Sequence, residues 1–188
     1  MCGRYTLHIT PEVLAKVFDL QEIPDIEPRY NIAPSQQVSA IRHVDEHNKL
    51  DFLKWGLQLP SGENDATYTS INVRSETDYE KPQFIHALKH NRCIIPATGF
   101  YEWVPEGNHK QPYYIRLLNS GIMDFAGLWE RGNAEVGTEL ETRCILTTSA
   151  NELINRIHER MPVILSTEDY SLWLNKNMHD PYELQRLY

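Results

Sequence analysis

Cys2 follows the initiator methionine directly, and a cysteine there is small enough for Met1 to be removed. Removal leaves one residue carrying both a free α-amine and a thiol, a pair that no other position can offer. In unstructured peptides the amine titrates near ~7.7–8.0 and the thiol near ~8.5, so a modest electropositive environment would bring both to their nucleophilic forms at neutral pH. Two reactions are open to such a residue. The amine can add to an aldehyde, giving a Schiff base on which the thiol closes to form a five-membered thiazolidine. Alternatively, the amine can act as base for the thiol in acyl transfer, as N-terminal nucleophiles do. The plain alternative is an ordinary second residue in a loose terminus.

Other residues could serve such chemistry. Glu102 is flanked by Tyr101 and Trp103, and burial among aromatics would raise its pKa until it could shuttle protons near neutrality; on an exposed edge strand it would be a solvated carboxylate. His158 and Arg160 lie in Ile157-His158-Glu159-Arg160-Met161-Pro162. Imidazole suits acid–base work at neutral pH, and a guanidinium two positions on could hold a phosphate or substrate oxygen; both could equally cap helix carbonyls. Asn72 and Arg74 offer an amide for a substrate oxygen and a cation for an anion, or else turn chemistry and solvation. His86 and His90, four apart, could ligate a metal from one helix face, but no HExxH glutamate and no obvious third ligand accompany them, so a solvated polar face is the expectation.

The chain has 188 residues, the length of one domain able to bury a sizeable core. Residues 1–20 mix Arg4, Glu12, Lys16 and Asp19 into the apolar positions, which excludes a signal peptide, and no run is long enough to span a membrane; a cytoplasmic location is expected. Three cysteines without a CxxC pair argue against a disulfide framework or a cysteine-bound zinc. Cys93 and Cys144 sit in apolar, strand-like contexts and read as buried thiols, leaving Cys2 as the reactive candidate. A net charge of −8 disfavours broad electrostatic attraction to nucleic acid or anionic membrane, so any phosphate site must be a local basic cluster. Gly-rich phosphate loops and GxSxG elbows are absent.

The elements that must position these groups can be read from pattern. Thr10 and Pro11 start a helix whose apolar face is Val13, Leu14, Val17 and Phe18. Residues 29–34 are extended ahead of Pro34. Strands are expected around Val38 to Ile41 and over 52–57, with a break at Gly56 and a mobile loop over 60–65. Another helix spans 82–90, and strand-like pieces cover 92–95 and 99–103. A hairpin is expected between 113–118 and 123–129 around Asn119-Ser120-Gly121, then a strand over 143–148. Ser149 and Glu152 form a capping box that predicts a helix carrying Leu153, Ile154 and Ile157, with His158 at its end. An apolar strand over 161–165 precedes a last helix with Leu172, Trp173 and Leu174, capped at Ser166 or Thr167. Strands and helices do not alternate, which favours an α+β fold over a doubly wound sheet.

Seven ordered segments resemble the SOS response-associated peptidase (SRAP) family: Met1-Cys2-Gly3-Arg4-Tyr5, Pro28 through Pro34, Lys54-Trp55-Gly56-Leu57, Asn72 through Thr77, Arg92 through Ala97 with Gly99-Phe100-Tyr101-Glu102-Trp103, Ala126 through Glu130, and Ile157 through Pro162. The likeness runs from residue 1 to about 174. It implies a sensor and shield of abasic sites in single-stranded DNA, whose processed N-terminal cysteine traps the ring-opened sugar aldehyde as a thiazolidine. Carried over, Cys2 is the nucleophile, Asn72 orients the sugar, Glu102 handles protons near the amine, and His158 is the acid–base group for ring opening and reversal. Arg4, Arg74 and Arg160 would hold phosphates, Thr147 and Pro34 would line the DNA channel, and Trp103 would stack or pack. The resemblance further implies one domain over 1–188 with a strongly curved, barrel-like mixed or antiparallel sheet and a few flanking helices. A monomer that uses neither metal nor cofactor is expected, with peptidase action restricted to self-processing. Two places depart from the family pattern: Val73 replaces a small alanine, and Gln58-Leu59-Pro60-Ser61-Gly62 replaces a Pro-x-Trp continuation, so no DNA contact is assigned to that loop.

Two other function classes fit parts of the chain. N-terminal-nucleophile glutamine amidohydrolases also begin Met-Cys-Gly, and glutamine hydrolysis would mark that class. A non-catalytic single-strand-binding module would stack bases on Tyr101, Trp103 and Trp129 and would tolerate loss of Cys2.

Overall fold

A computed structural model describes residues 2–60, 67–119, 121–133 and 139–188. Met1 and the expected mobile loop after Pro60 lie outside the described residues. The first half of the chain supplies β1 (Arg4–Leu7), α1 (Pro11–Phe18), β2 (Arg29–Ile32), β3 (Gln37–Val44), β4 (His47–Trp55), β5 (Leu57–Pro60), β6 (Thr67–Ser70), β7 (Asn72–Arg74) and α2 (Pro82–His90). There follow β8 (Arg92–Ala97), β9 (Gly99–Glu106), β10 (His109–Ile115), β11 (Met123–Asn133), β12 (Glu139–Ser149), β13 (Arg160–Pro162), β14 (Ile164–Leu165), α3 (Tyr170–Leu174) and α4 (Pro181–Gln185). The fold is α+β.

The larger sheet curls until it closes. Its strands run β12, β4, β3, β8, β11, and β11 then pairs again with β12, giving a five-stranded barrel. The β12–β4 pair is parallel and the other four pairs are antiparallel, so the barrel is mixed. Short strands β7, β13 and β14 extend from it, while β10, β9, β1 and β2 form a separate antiparallel sheet. The break at Gly56 has a backbone cause. Its φ is +137°, a value few side chains tolerate, and an added Cβ would lie 3.2 Å from Thr69 Cγ2.

Period-two alternation along the strands feeds two cores. Ile41, Ile94, Ala126, Leu128, Cys144 and Leu146 pack with Leu14, Phe18, Phe84, Leu88, Trp173 and Leu184 of the four helices. Alternate residues Val38, Ala40, Leu53, Trp55, Cys93, Ile95, Phe125 and Ile145 pack against Tyr5, Leu7, Ile32 and Phe100 of the smaller sheet. Cys2 belongs to this second core and is fully buried. Cys93 and Cys144 are buried as expected. Helix α1 begins as predicted, with the Thr10 hydroxyl accepting from Val13 N at 3.4 Å, but only Leu14 and Phe18 of its apolar set are buried.

Two expected elements are not formed. Residues 113–118 and 123–129 do not pair: β10 turns back on β9, with Glu106 opposite His109, through a two-residue loop at Gly107 (φ +59°) and Asn108, while β11 joins the barrel. Gly-Asn is the shorter and stronger hairpin turn. No helix follows Ser149. That residue ends β12, opposite Arg160, and the antiparallel pairs Thr147 with Pro162 and Thr148 with Met161 close the connection tightly. The space left holds one 3-10 turn, Ile154–Arg156, whose Ile154 N–H is capped by Asn151 Oδ1 at 3.0 Å. Helix α4, capped by Asp180 ahead of Pro181, adds an element the sequence reading omitted.

Candidate active site around Cys2

Strand β1 places Cys2 by pairing on both sides: Tyr5 faces Ile32 of β2 and Phe100 of β9. The Cys2 thiol approaches the Arg4 carbonyl at 3.8 Å, and Asn72 Nδ2 donates to the Cys2 carbonyl at 3.0 Å. Asn72 is fixed because β7 runs parallel to β12, with Asn72 beside Ile145 and Arg74 beside Thr147. Ser70 Oγ donates to the Asn72 carbonyl at 2.6 Å, and Trp55 Nε1 to the preceding Ile71 carbonyl at 2.9 Å. Asn72 Oδ1 is buried and has no hydrogen-bond partner among the described residues. An acceptor in that state invites a donor from whatever occupies the site.

Glu102, on β9, is buried. Burial first, and the nearby Glu102 charge second, push the Cys2 thiol up to about 12, against an opposing pull from Arg143. The thiol is therefore held protonated at neutral pH. This differs from the expectation that the site would draw it toward the thiolate, because burial outweighs the cation.

Arg143 was not among the sequence candidates. It is fully buried on β12, with its guanidinium 4.8 Å from the Trp55 ring centre and 5.5 Å from that of Tyr5, and Nη2 donates to the Tyr5 hydroxyl at 2.7 Å. Its Nε and Nη1 find no acceptor among the described residues. A charged residue inside the apolar run Arg143-Cys144-Ile145-Leu146 was the available signal; its stacking partners, far away in the chain, were not visible.

His158 and Arg160 sit beside the 3-10 turn and at the start of β13. The Arg160 backbone N–H meets His158 Nδ1 at 2.9 Å, and the Arg160 carbonyl lies 3.2 Å from the same nitrogen. Arg160 itself is nearly buried. Its guanidinium donates to both Glu76 carboxylate oxygens, at 2.5 and 2.8 Å, and to the Thr147 carbonyl at 2.5 Å. Glu76 is held below the usual carboxylate range, chiefly by that hydrogen bond. Glu76 was a second residue the sequence reading passed over, although it lies within the Asn72 to Thr77 segment. Thr147 is fully buried, its hydroxyl donating to the Val73 carbonyl at 3.3 Å.

Arg74 is exposed, whereas Arg4 donates to Asn31 Oδ1 at 2.7 Å. Pro34 is half-buried in the turn leading to Ser35, whose φ is +70°. Trp103 alternates with Glu102 along β9 and is 37% exposed, with Tyr101 6.3 Å away, ring centre to ring centre. A hydrogen bond thus joins Cys2 to Asn72, with the Glu102 charge acting on the thiol, and separate hydrogen bonds join Arg160, Thr147, Glu76 and His158. The parallel β7–β12 pair connects the two groups. Among the described residues no helix is long and apolar enough to cross a membrane.

The model of the family described as SOS response associated peptidase (SRAP) matches residues 1–188. The chain is 43% identical over 192 aligned residues to the abasic site processing protein YoqW of Bacillus subtilis (strain 168), covering 100% of this chain and 86% of that one. It is 33% identical to the abasic site processing protein YedK of Escherichia coli (strain K12), covering 95% and 81%. A crystal structure of a protein from Bacteroides thetaiotaomicron superposes with a TM-score of 0.86 at 27% identity, covering 99% of this chain and 86% of that one.

Proposed function

This chain belongs to the SOS response-associated peptidase family, and from that premise we propose that it senses abasic sites in single-stranded DNA and shields them through a covalent bond to Cys2. The observation that carries the reading is the Cys2 backbone carbonyl held by Asn72 beside the buried Glu102 carboxylate. In this reading residues 1–188 act as one domain and as a monomer, and peptidase action is confined to releasing Met1.

The amine acts before the thiol. The freed α-amine of Cys2 attacks the C1′ aldehyde of the ring-opened sugar, and water leaves to give the imine. The thiol sulfur then bonds to the imine carbon while its proton passes to the imine nitrogen, closing the thiazolidine with net loss of one water. Glu102 accepts the proton that the ammonium must shed before attack and returns it to the departing hydroxyl. Asn72 Oδ1 accepts from a sugar hydroxyl. His158 supplies the acid that opens the sugar ring and, in reverse, the crosslink. Arg4 and Arg74 take phosphates; Arg160 keeps Thr147 and Glu76 in place, its phosphate role needing displacement of Glu76. Trp103 presents a face for a base.

The test uses protein whose N-terminus has been verified as Cys2, a single-stranded oligonucleotide with one abasic site, and a denaturing gel without borohydride. A shifted band is expected with the abasic strand only, and none with Cys2→Ala. Glutamine hydrolysis without that band would replace this reading with the amidohydrolase one.

A further inference from the structure

Arg143 has no assigned part in capture, although its guanidinium packs on Tyr5 and Trp55, two members of the core that contains Cys2. The same rings frame the reacting residue. Tyr5 follows Cys2 on β1, and Trp55 Nε1 donates to the Ile71 carbonyl, next to the Asn72 that holds Cys2. Strand pairing fixes Arg143 from both edges of β12, beside Trp55 of β4 and Trp129 of β11.

The fold contains a second buried arginine for comparison. Arg92 donates to the carbonyls of Leu88, Lys89, Trp173 and Asn175, as a guanidinium with a structural role does. Arg143 makes one hydrogen bond among the described residues, to the Tyr5 hydroxyl, and its Nε and Nη1 make none. Aromatic faces offset only part of the cost of burying such a cation. Its field reaches Cys2, where it opposes the rise of the thiol. The charges acting on Cys2 from the neighbouring strands are Glu102 on β9 and Arg143 on β12. Burial keeps Tyr5 neutral, Asn72 of β7 carries no charge, and Arg4 of β1 turns its guanidinium to Asn31.

Burial and a nearby cation oppose each other at the thiol but act together on the amine. Desolvation disfavours whichever form is charged, so it favours the neutral thiol and the free amine; a cation favours the thiolate and, again, the free amine. Glu102 alone works against the free amine. We propose that Arg143 is a positioning residue for capture, its unpaired charge holding the α-amine of Cys2 in the neutral form that attacks the aldehyde. The inference rests on the reading of that amine as the nucleophile. The proton shed by the ammonium goes to Glu102, and Arg143 exchanges none.

Formaldehyde is a probe that needs no DNA: it condenses with the amine and thiol of Cys2 to a thiazolidine with loss of one water. Intact mass follows the rate between about pH 5 and pH 9 on protein whose N-terminus has been verified as Cys2. In the parent the rate should reach half its maximum below ~7.7–8.0, the ordinary range of an α-amine. Arg143→Met should move that point up by about one pH unit, a reaction about tenfold slower at the acid end. Its Tm should be unchanged or higher, because an apolar side chain replaces an unpaired buried charge. Arg143→Lys keeps the charge and should restore the parent's profile. A parent half-point within or above the ordinary range overturns the proposal without any variant, and so does a half-point that Arg143→Met leaves in place. The shift with formaldehyde, found without any adduct on the abasic strand, would sink the abasic-site reading and leave the role of Arg143 standing.

Discussion

Asn72 donates its side-chain amide to the backbone carbonyl of Cys2 at 3.0 Å, spanning 70 positions of sequence. The bond ties Cys2 to an amide whose oxygen has no hydrogen-bond partner among the described residues. It links the short strand β7 to the first residue able to react.

Removing that link should cost capture more than fold. A typical hydrogen bond contributes about 1 kcal/mol net, so Asn72→Ala should slow crosslinking about fivefold or more. Single-turnover capture on an abasic oligonucleotide measures this, and an unchanged rate would show that Asn72 does not position Cys2.

Burial, and then Glu102, raise the Cys2 thiol to about 12. The thiolate fraction below that pH should therefore climb about tenfold per pH unit, with no plateau near the ordinary value of ~8.5. Iodoacetamide labelling of Cys2, followed by peptide mass between pH 7 and 10, reads the profile. A plateau near pH 8.5 would show a thiol titrating as if in water.

The cations divide by their partners. Arg74 is exposed, whereas Arg160 is committed to Glu76 and Thr147. Arg74→Ala should reduce the slope of log K against log salt for single-stranded DNA by about 0.7, the value of one phosphate contact. Arg160→Lys loses a two-point bond to Glu76 and should lower Tm while leaving that slope unchanged. A reduced slope in Arg160→Lys would show that Arg160 binds phosphate directly.

His158 accepts from the Arg160 backbone at Nδ1. His158→Ala should slow release of a preformed crosslink more than capture, because reopening the ring needs an acid at the sulfur or nitrogen that leaves. Following adduct decay after adding excess unlabelled abasic strand tests this; equal decay in variant and parent would remove the role.

Much of this site was legible because its residues carry local signals. Cys2 stands out by position, Glu102 by aromatic neighbours, and Asn72 with Arg74 by their place between a loop and a helix. The expected helix after Ser149 failed because strand pairing across Thr147 to Pro162 closed the loop, and a capping signature cannot outweigh that tertiary constraint. The expected hairpin failed because Gly107-Asn108 supplied a better turn nearby. Arg143 stayed hidden because its effect on Cys2 depends on stacking with Tyr5 and Trp55, contacts made only when the barrel closes.

The central claim is the covalent product at Cys2, and intact-mass spectrometry tests it most directly. Protein lacking Met1 is incubated with an oligonucleotide bearing one abasic site, without reductant. The account predicts a species equal to protein plus oligonucleotide minus one water, absent with Cys2→Ala and localised to Cys2 by peptide mapping. No adduct from verified Cys2 protein, or an adduct on a lysine, would contradict it.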